Sequence, residues 1–307
     1  MIERRKPTQA EVESYLKDRR NWGRWGDKGS AGAMNLVTPD KRRGAASLVS
    51  SGRNVSLARS VNTEPSVENM RPTSHYMMTI DQPHGGGCVE DYYASFYHGL
   101  AETHLDALCH MWDKDGGWDG RDPDEILTFK GSSYGSVDEW SDGVVTRGVL
   151  LDVPKHRGKP YVTLDEPVQG WELEDIAKEQ GLHIEPGDAL MVYSGREAYA
   201  TDHGGVWGGT GISEKPGLHA SCLPFIRDND VCLLGYDMMD ATNLEYTIPH
   251  TMHAILYAYG VALLDNALLE PLARACVEED RYEFMFVMCP LKIIGGTGSP
   301  VNPIAVF

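Results

Sequence analysis

A chain of 307 residues, 41% hydrophobic and 24% charged, has ample apolar material for a packed core and the composition of an ordinary globular protein. Its formal net charge of −17 argues against nucleic acid and anionic membrane as partners, since both reward Lys/Arg patches. No segment reaches the roughly 18 apolar residues of a membrane span, the N-terminus "MIERRKPTQAEVESYLKDRR" lacks the apolar run of a secretory signal, and the six cysteines show no C-x-x-C spacing. Scattered thiols without a signal lead us to expect a cytoplasmic protein with reduced cysteines.

In chain order, "TQAEVESYLKDRR" predicts a helix capped at Thr8, with Val12, Tyr15 and Leu16 on one face. "NWGRWGDKGSAGAMNLVTPD" is a Gly- and Trp-rich ordered loop, its Trp22 and Trp25 read as core anchors. "TPDKRRGAASLVSSG" predicts a helix from Thr38 to a stop at Gly52, and "NVSLARSV" alternates like a strand. "HGGGCVED" reads as a Gly-rich loop, either a lid or a plain surface turn. Further on come a strand from Gly148, a helix in "LEDIAKEQGLHI", and strands in "PGDALMVYSG" and "DVCLLGYD". "MHAILYAYGVALLDN" passes from helix through Gly260 into strand; "LEPLARACVEED" is a helix and "YEFMFVMCPLKI" a strand. This irregular alternation predicts a mixed α/β (α+β) fold. With no repeat or charged linker, we expect one domain over 1–307, with 1–60 as an N-terminal helix and loop extension packing on it.

The stretch "YHGLAETHLDALCH" gathers His98, Glu102, His104, Asp106 and His110. If it is extended from Leu100 to Asp106, then Glu102, His104 and Asp106 share one face, with neighbours roughly 7 Å apart. Imidazole plus carboxylates suits Zn²⁺, Mn²⁺ or Fe²⁺, and three protein ligands leave room for water that the ion can activate. A turn after the strand would bring His110 back over the same patch as a proton carrier. Spacing alone leaves this reading level with that of solvated or hydrogen-bonded polar residues.

"THLDALCH" resembles the T-H-x-D-x-x-x-H core of the cyclase family of metal-dependent hydrolases, which includes bacterial kynurenine formamidases, isatin hydrolases and a trans-dienelactone hydrolase. "WGDKGSAGAMNLVTPD", "RGVLLDV", "PGDALMVYSG", "GLHASCLPFIRDNDVCLLGYD" and "PLKIIGGTGSPVNPIAVF" resemble that family's other blocks in the same order. The likeness is strongest to its longer members. It implies a single-domain swivelling β/β/α-type fold, His104 and Asp106 as metal ligands, and His110 as proton shuttle. It also implies that His253, and Asp265 twelve residues later, lie near the metal, where the family usually has Glu at the second place. The family's first ligand His falls at Leu100, so another side chain must take that role. Glu102 is preferred for its predicted face, and His98 is second choice.

The resemblance further implies a divalent cofactor, Mn²⁺ or Zn²⁺, a small carbonyl-bearing substrate, and a homodimer or homotetramer. The expected activity is hydrolysis of a cyclic amide, imide or lactone, or of a small aryl amide, by metal-activated water. A metal-dependent lyase, dehydratase or cyclase acting on a polyketide-like or hydroxy-acid substrate is the alternative. In the loop region "GREAYA" to "DHGGVWGG", Arg196 could face a substrate carboxylate, or else pair with Glu197 or solvent.

Overall fold

The structure is a computed structural model that describes residues 3–205, 207, 215–242, 245–248 and 250–307. Within them, nine strands make one mixed sheet, ordered Asn54–Ser56, Ile304–Val306, Glu283–Met288, Val144–Asp152, Ala189–Tyr193, Leu233–Tyr236, Ala262–Asp265, His104–Asp106 and Gly298–Pro300. The four from Val144–Asp152 to Ala262–Asp265 are parallel, and every other pair is antiparallel. Three of the parallel strands, "ALMVY", "LLGY" and "ALLD", are buried at every residue. Near-continuous apolar runs are what a parallel strand covered on both faces requires. The carboxyl ends of parallel strands are where open α/β sheets place ligands, and Asp265 stands at one of them.

Local signals account for most elements. Thr8 caps the helix Gln9–Lys17 through a capping box with Glu11, and Val12 and Leu16 are its buried residues. The Trp22 indole donates to the Tyr257 carbonyl at 2.7 Å, and the Trp25 ring packs 5.8 Å from that of Trp118. The loop around them winds through 3₁₀ turns over Gly26–Leu36.

Two boundaries differ from expectation. The helix begun at Thr38 ends at Ala46, well before Gly52: the following residues hold Val49, Ser50 and Ser51, which favour helix less, and none of them is buried to offset that. The strand expected from Gly148 begins at Val144; Gly148 sits inside it because a β-carbon there would lie 2.2 Å from the Phe284 ring. Gly260 ends the helix Ala254–Tyr259 at φ +67°, and a β-carbon would meet the Trp118 ring at 2.6 Å.

Of the stretch "HGGGCVED", expected as loop, His84 to Gly86 lie in the turn of a two-stranded ribbon, Ser74–Asp81 with Gly87–Ala94, and Gly87 to Asp91 belong to its second strand; the ribbon stands out in solvent. No described helix is long and apolar enough to cross a membrane. Within the loop "DHGGVWGG", Val206, Gly208 and Gly209 lie outside the described residues.

Candidate metal centre

His104 and Asp106 occupy the first and last positions of the strand His104–Asp106, so the pleat sends both side chains to one face. Asp265 pairs directly with His104 across the antiparallel ladder and joins that face from the neighbouring strand. His104 Nε2 lies 3.4 Å from Asp106 Oδ1 and 3.8 Å from Asp265 Oδ2. The helical turn Leu108–His110 returns His110, whose Nε2 is 4.0 Å from Asp106 Oδ1. His253 arrives at the start of the helix Ala254–Tyr259, with Nε2 3.4 Å from Asp265 Oδ2 and 3.8 Å from Asp106 Oδ2.

The last imidazole is His98. Its Nδ1 is 2.8 Å from Asp106 Oδ1, and its ring stacks on that of His110 at 4.1 Å and 6°. Glu102, the preferred third ligand, is not brought to this face. Its carboxylate instead accepts from the Thr73 and Ser95 hydroxyls, the latter at 2.7 Å. The alternation argument failed because the strand starts only at His104, and residues 98–102 form bends.

Those bends are held from far away in sequence. Asn266 Nδ2 donates to the Gly99 carbonyl at 2.7 Å, and Arg196 Nη2 donates to the Leu100 carbonyl at 2.6 Å. Gly298 leaves room for His98, since a β-carbon there would lie 2.9 Å from the ring. Arg196 therefore does not face a substrate: it is buried, and its other donors reach Asn266 Oδ1 at 2.7 Å and the Asp237 carbonyl at 3.3 Å. Glu197, its alternative partner, pairs with Arg59 at 2.6 Å.

The electrostatics are those of an ionised carboxylate among imidazoles. Burial by itself raises the Asp106 carboxyl, but His110, His104 and His98 outweigh it and hold the acid well below the usual carboxylate range. Burial pushes the His110 imidazole down to about 4 against the opposing pull of Asp106. Burial also opposes charge on His253, yet Asp240 and Asp265 hold it well above the usual imidazole value. Asp240 was not singled out from the sequence. It takes His253 Nδ1 at 2.7 Å and the backbone N–H of Met252 at 2.8 Å. The signal that finds it is its place just past the strand Leu233–Tyr236, at the carboxyl end of the parallel run.

Three observations test whether these residues fit a cation. Both Asp106 oxygens and Asp265 Oδ1 are buried without a hydrogen-bond partner, a costly state that a cation relieves. The ligand atoms of His98, His104 and Asp106 lie within 4.8 Å of one another, as do those of Asp106, His253 and Asp265. Two atoms each about 2.1 Å from a tetrahedral ion lie about 3.4 Å apart, close to the separations found here. Finally, the His104 Nδ1 faces the Glu102 carbonyl at 2.9 Å; a carbonyl only accepts, so the proton sits on Nδ1 and Nε2 offers its lone pair to the cluster. The residues fit a divalent ion. A cavity of about 170 Å³ opens beside them, lined also by Met111, Met239 and His250.

The Glu102 and His98 readings separate by mutation. Glu102→Gln should leave metal content unchanged and cost about 1–3 kcal/mol of stability through the disturbed Thr73 and Ser95 hydroxyls. His98→Ala should lower metal affinity by at least about 10-fold. Metal analysis with a thermal melt checks both, and metal loss on Glu102→Gln would restore Glu102 as ligand.

Residues 61–242 match the family model described as "Putative cyclase". No curated protein matches the chain significantly. Among solved structures, the chain is similar to a crystal structure of a novel cyclase, with a TM-score of 0.81 and 26% identity, covering 94% of this chain and 97% of that one. It also shares its fold with isatin hydrolase A from Ralstonia solanacearum (TM-score 0.59, 17% identity, 83% and 92% coverage). Isatin hydrolase A from Labrenzia aggregata, bound to benzyl benzoate, shares it too (TM-score 0.56, 17% identity, 89% and 98% coverage). By the family match, the motif and the mixed α/β fold together, this chain belongs to that cyclase family.

Proposed function

We propose that the protein is a metal-dependent hydrolase that opens a small cyclic amide, imide or lactone, or cleaves a small aryl amide. The observation that carries this reading is the Asp106 carboxylate, buried, unpartnered at both oxygens and ringed by His98, His104 and His253. His98, His104 and Asp106 would hold one Mn²⁺ or Zn²⁺, donors that serve either ion. A bound divalent ion supplies Lewis acidity that polarises a carbonyl and acidifies water.

The protein's own groups do the rest. His110, neutral because it is buried, accepts a proton at Nε2 from the attacking water and passes it to the leaving nitrogen or oxygen. His98, stacked on His110, fixes the plane in which that imidazole works. His253, anchored at Nδ1 by Asp240, presents Nε2 beside Asp265 at the opposite edge of the cavity, where it orients the reacting group. The protein should carry near one Mn or Zn per chain, lose activity to a chelator and place solvent oxygen in its product. Turnover of a carbonyl substrate without solvent oxygen would identify a lyase, and a protein that takes up neither ion would end the hydrolase reading.

The expected homo-oligomer finds support in the ribbon Ser74–Asp81 and Gly87–Ala94. Its Tyr76, Met78 and Tyr92 point to one face and are 66%, 59% and 59% exposed. An isolated two-stranded ribbon is marginal in water, so a second copy that covers it would stabilise it. Tyr76→Asp combined with Tyr92→Asp should shift the protein to monomer in light scattering; an unchanged mass would remove the ribbon from the interface.

A further inference from the structure

The 170 Å³ cavity beside the histidines has room for a reacting carbonyl and few atoms beyond it. A second cavity of about 420 Å³ adjoins it, the two sharing Met111 and His250 as walls. That size is within the range of small-molecule sites, roughly 300–1,000 Å³. Its walls bring apolar side chains together, Leu16 from the N-terminal helix, Trp112 just past the metal motif, Ile248, and Tyr257 from the helix that His253 starts, beside charged ones that include Glu13, Lys17 and Lys114. Arg20 in the wall pairs with Asp113 at 2.5 Å and Asp115 at 3.2 Å. That network ties the segment just after the N-terminal helix to the loop after the metal motif, and Leu16, Trp112, Ile248 and Tyr257 give the chamber its apolar surface.

We infer that this chamber seats the non-reacting part of the substrate, and that this part is an apolar, ring-bearing body. The inference rests on the hydrolase reading and adds to it a substrate class: carbonyl compounds carrying an aryl or aryl-alkyl group, larger than a single small ring. Selectivity for that body lies in Leu16 and Ile248, both outside the segment 61–242 that carries the family match. The N-terminal helix is thus a wall of the substrate site.

The test compares acetohydroxamate with 4-phenylbutanohydroxamate, which share a metal-binding head and differ in an apolar tail. Calorimetry on the Zn-loaded protein should give at least about 30-fold tighter binding for the longer compound, a modest return for burying a phenylpropyl group. Ile248→Trp and Leu16→Trp, which fill the chamber, should erase that increment while leaving zinc content and acetohydroxamate affinity unchanged. Ile248 lies in a half-buried loop, so its variant keeps the test open if Leu16→Trp fails to fold. Equal affinity of the two compounds, or an increment that survives in Ile248→Trp, overturns the inference. If the protein takes up no metal the hydrolase reading fails separately. The metal-free protein should still bind 4-phenylbutanohydroxamate saturably in the millimolar range and lose it in Ile248→Trp; no such binding overturns the chamber assignment as well.

Discussion

Asp106→Asn should abolish metal binding and cost the metal-free fold some stability at neutral pH. Asp106 lies at the centre of the cluster: one oxygen faces His98 and His104, and the other faces His253. No other described side chain belongs to both the His98–His104 group and the His253–Asp265 group. An amide presents one neutral acceptor and a donor in place of two anionic acceptors, so ion affinity should fall by at least about 1,000-fold, and turnover with it. His110, His104 and His98 hold the Asp106 carboxyl well below the usual carboxylate range, so its charge stabilises the fold at neutral pH, and the metal-free variant should lose about 1–3 kcal/mol there.

The clean readout is thermal stability with and without added Zn²⁺. At a thousand times the dissociation constant, an ion that binds only the folded state stabilises it by about 4 kcal/mol. The parent should show that gain and Asp106→Asn should show none. A variant that still gains stability from the ion, or still carries it at one per chain, would mean that Asp106 is not the central ligand.

What the sequence made legible and what it hid follow one division. The shared face of His104 and Asp106 and the return of His110 followed from local rules of strand and turn, while their part in a metal site rested on the family resemblance. Thr8 and Gly260 were legible for the same reason: their conformations are decided within a few residues. That Glu102 turns away and His98 faces Asp106 was not legible, because residues 98–102 are shaped by Asn266, Arg196 and Gly298, which are adjacent only after folding. Asp240 was hidden likewise, since its pairing with His253 joins the loop past the strand Leu233–Tyr236 to the start of a distant helix. The ribbon went unread for a different reason. "SHYMMTID" and "GCVEDYYA" carry apolar residues on both faces, so no alternation marks a buried side, and only the Gly-rich turn between β-prone runs hints at pairing.

Arg196→Met should produce the largest loss of stability, and it tests how the site is held together. The guanidinium is 4% exposed and serves the Leu100 carbonyl, Asn266 Oδ1 and the Asp237 carbonyl; it lies 3.6 Å from Glu68 and 4.5 Å from the centre of the Trp207 ring. Methionine fills much of the volume but donates nothing, so two carbonyls and an amide oxygen lose a donor and Glu68 loses its nearby cation. Removing one partner from such a buried charged network costs about 3–5 kcal/mol. The effect should reach the metal. The Leu100 carbonyl is one of the ties on the bend that presents His98, and loosening an outer support of a ligand lowers ion affinity by about 10–100-fold. Urea unfolding of the metal-free protein measures the first effect and zinc titration under folding conditions the second. Arg196→Lys should recover only part of each, because an ammonium cannot span the Leu100 and Asn266 acceptors as a planar fork does. If Arg196→Met binds zinc as tightly as the parent despite the lost stability, Asn266 and the Thr297 hydroxyl, 3.1 Å from His98 Nε2, hold His98 without it.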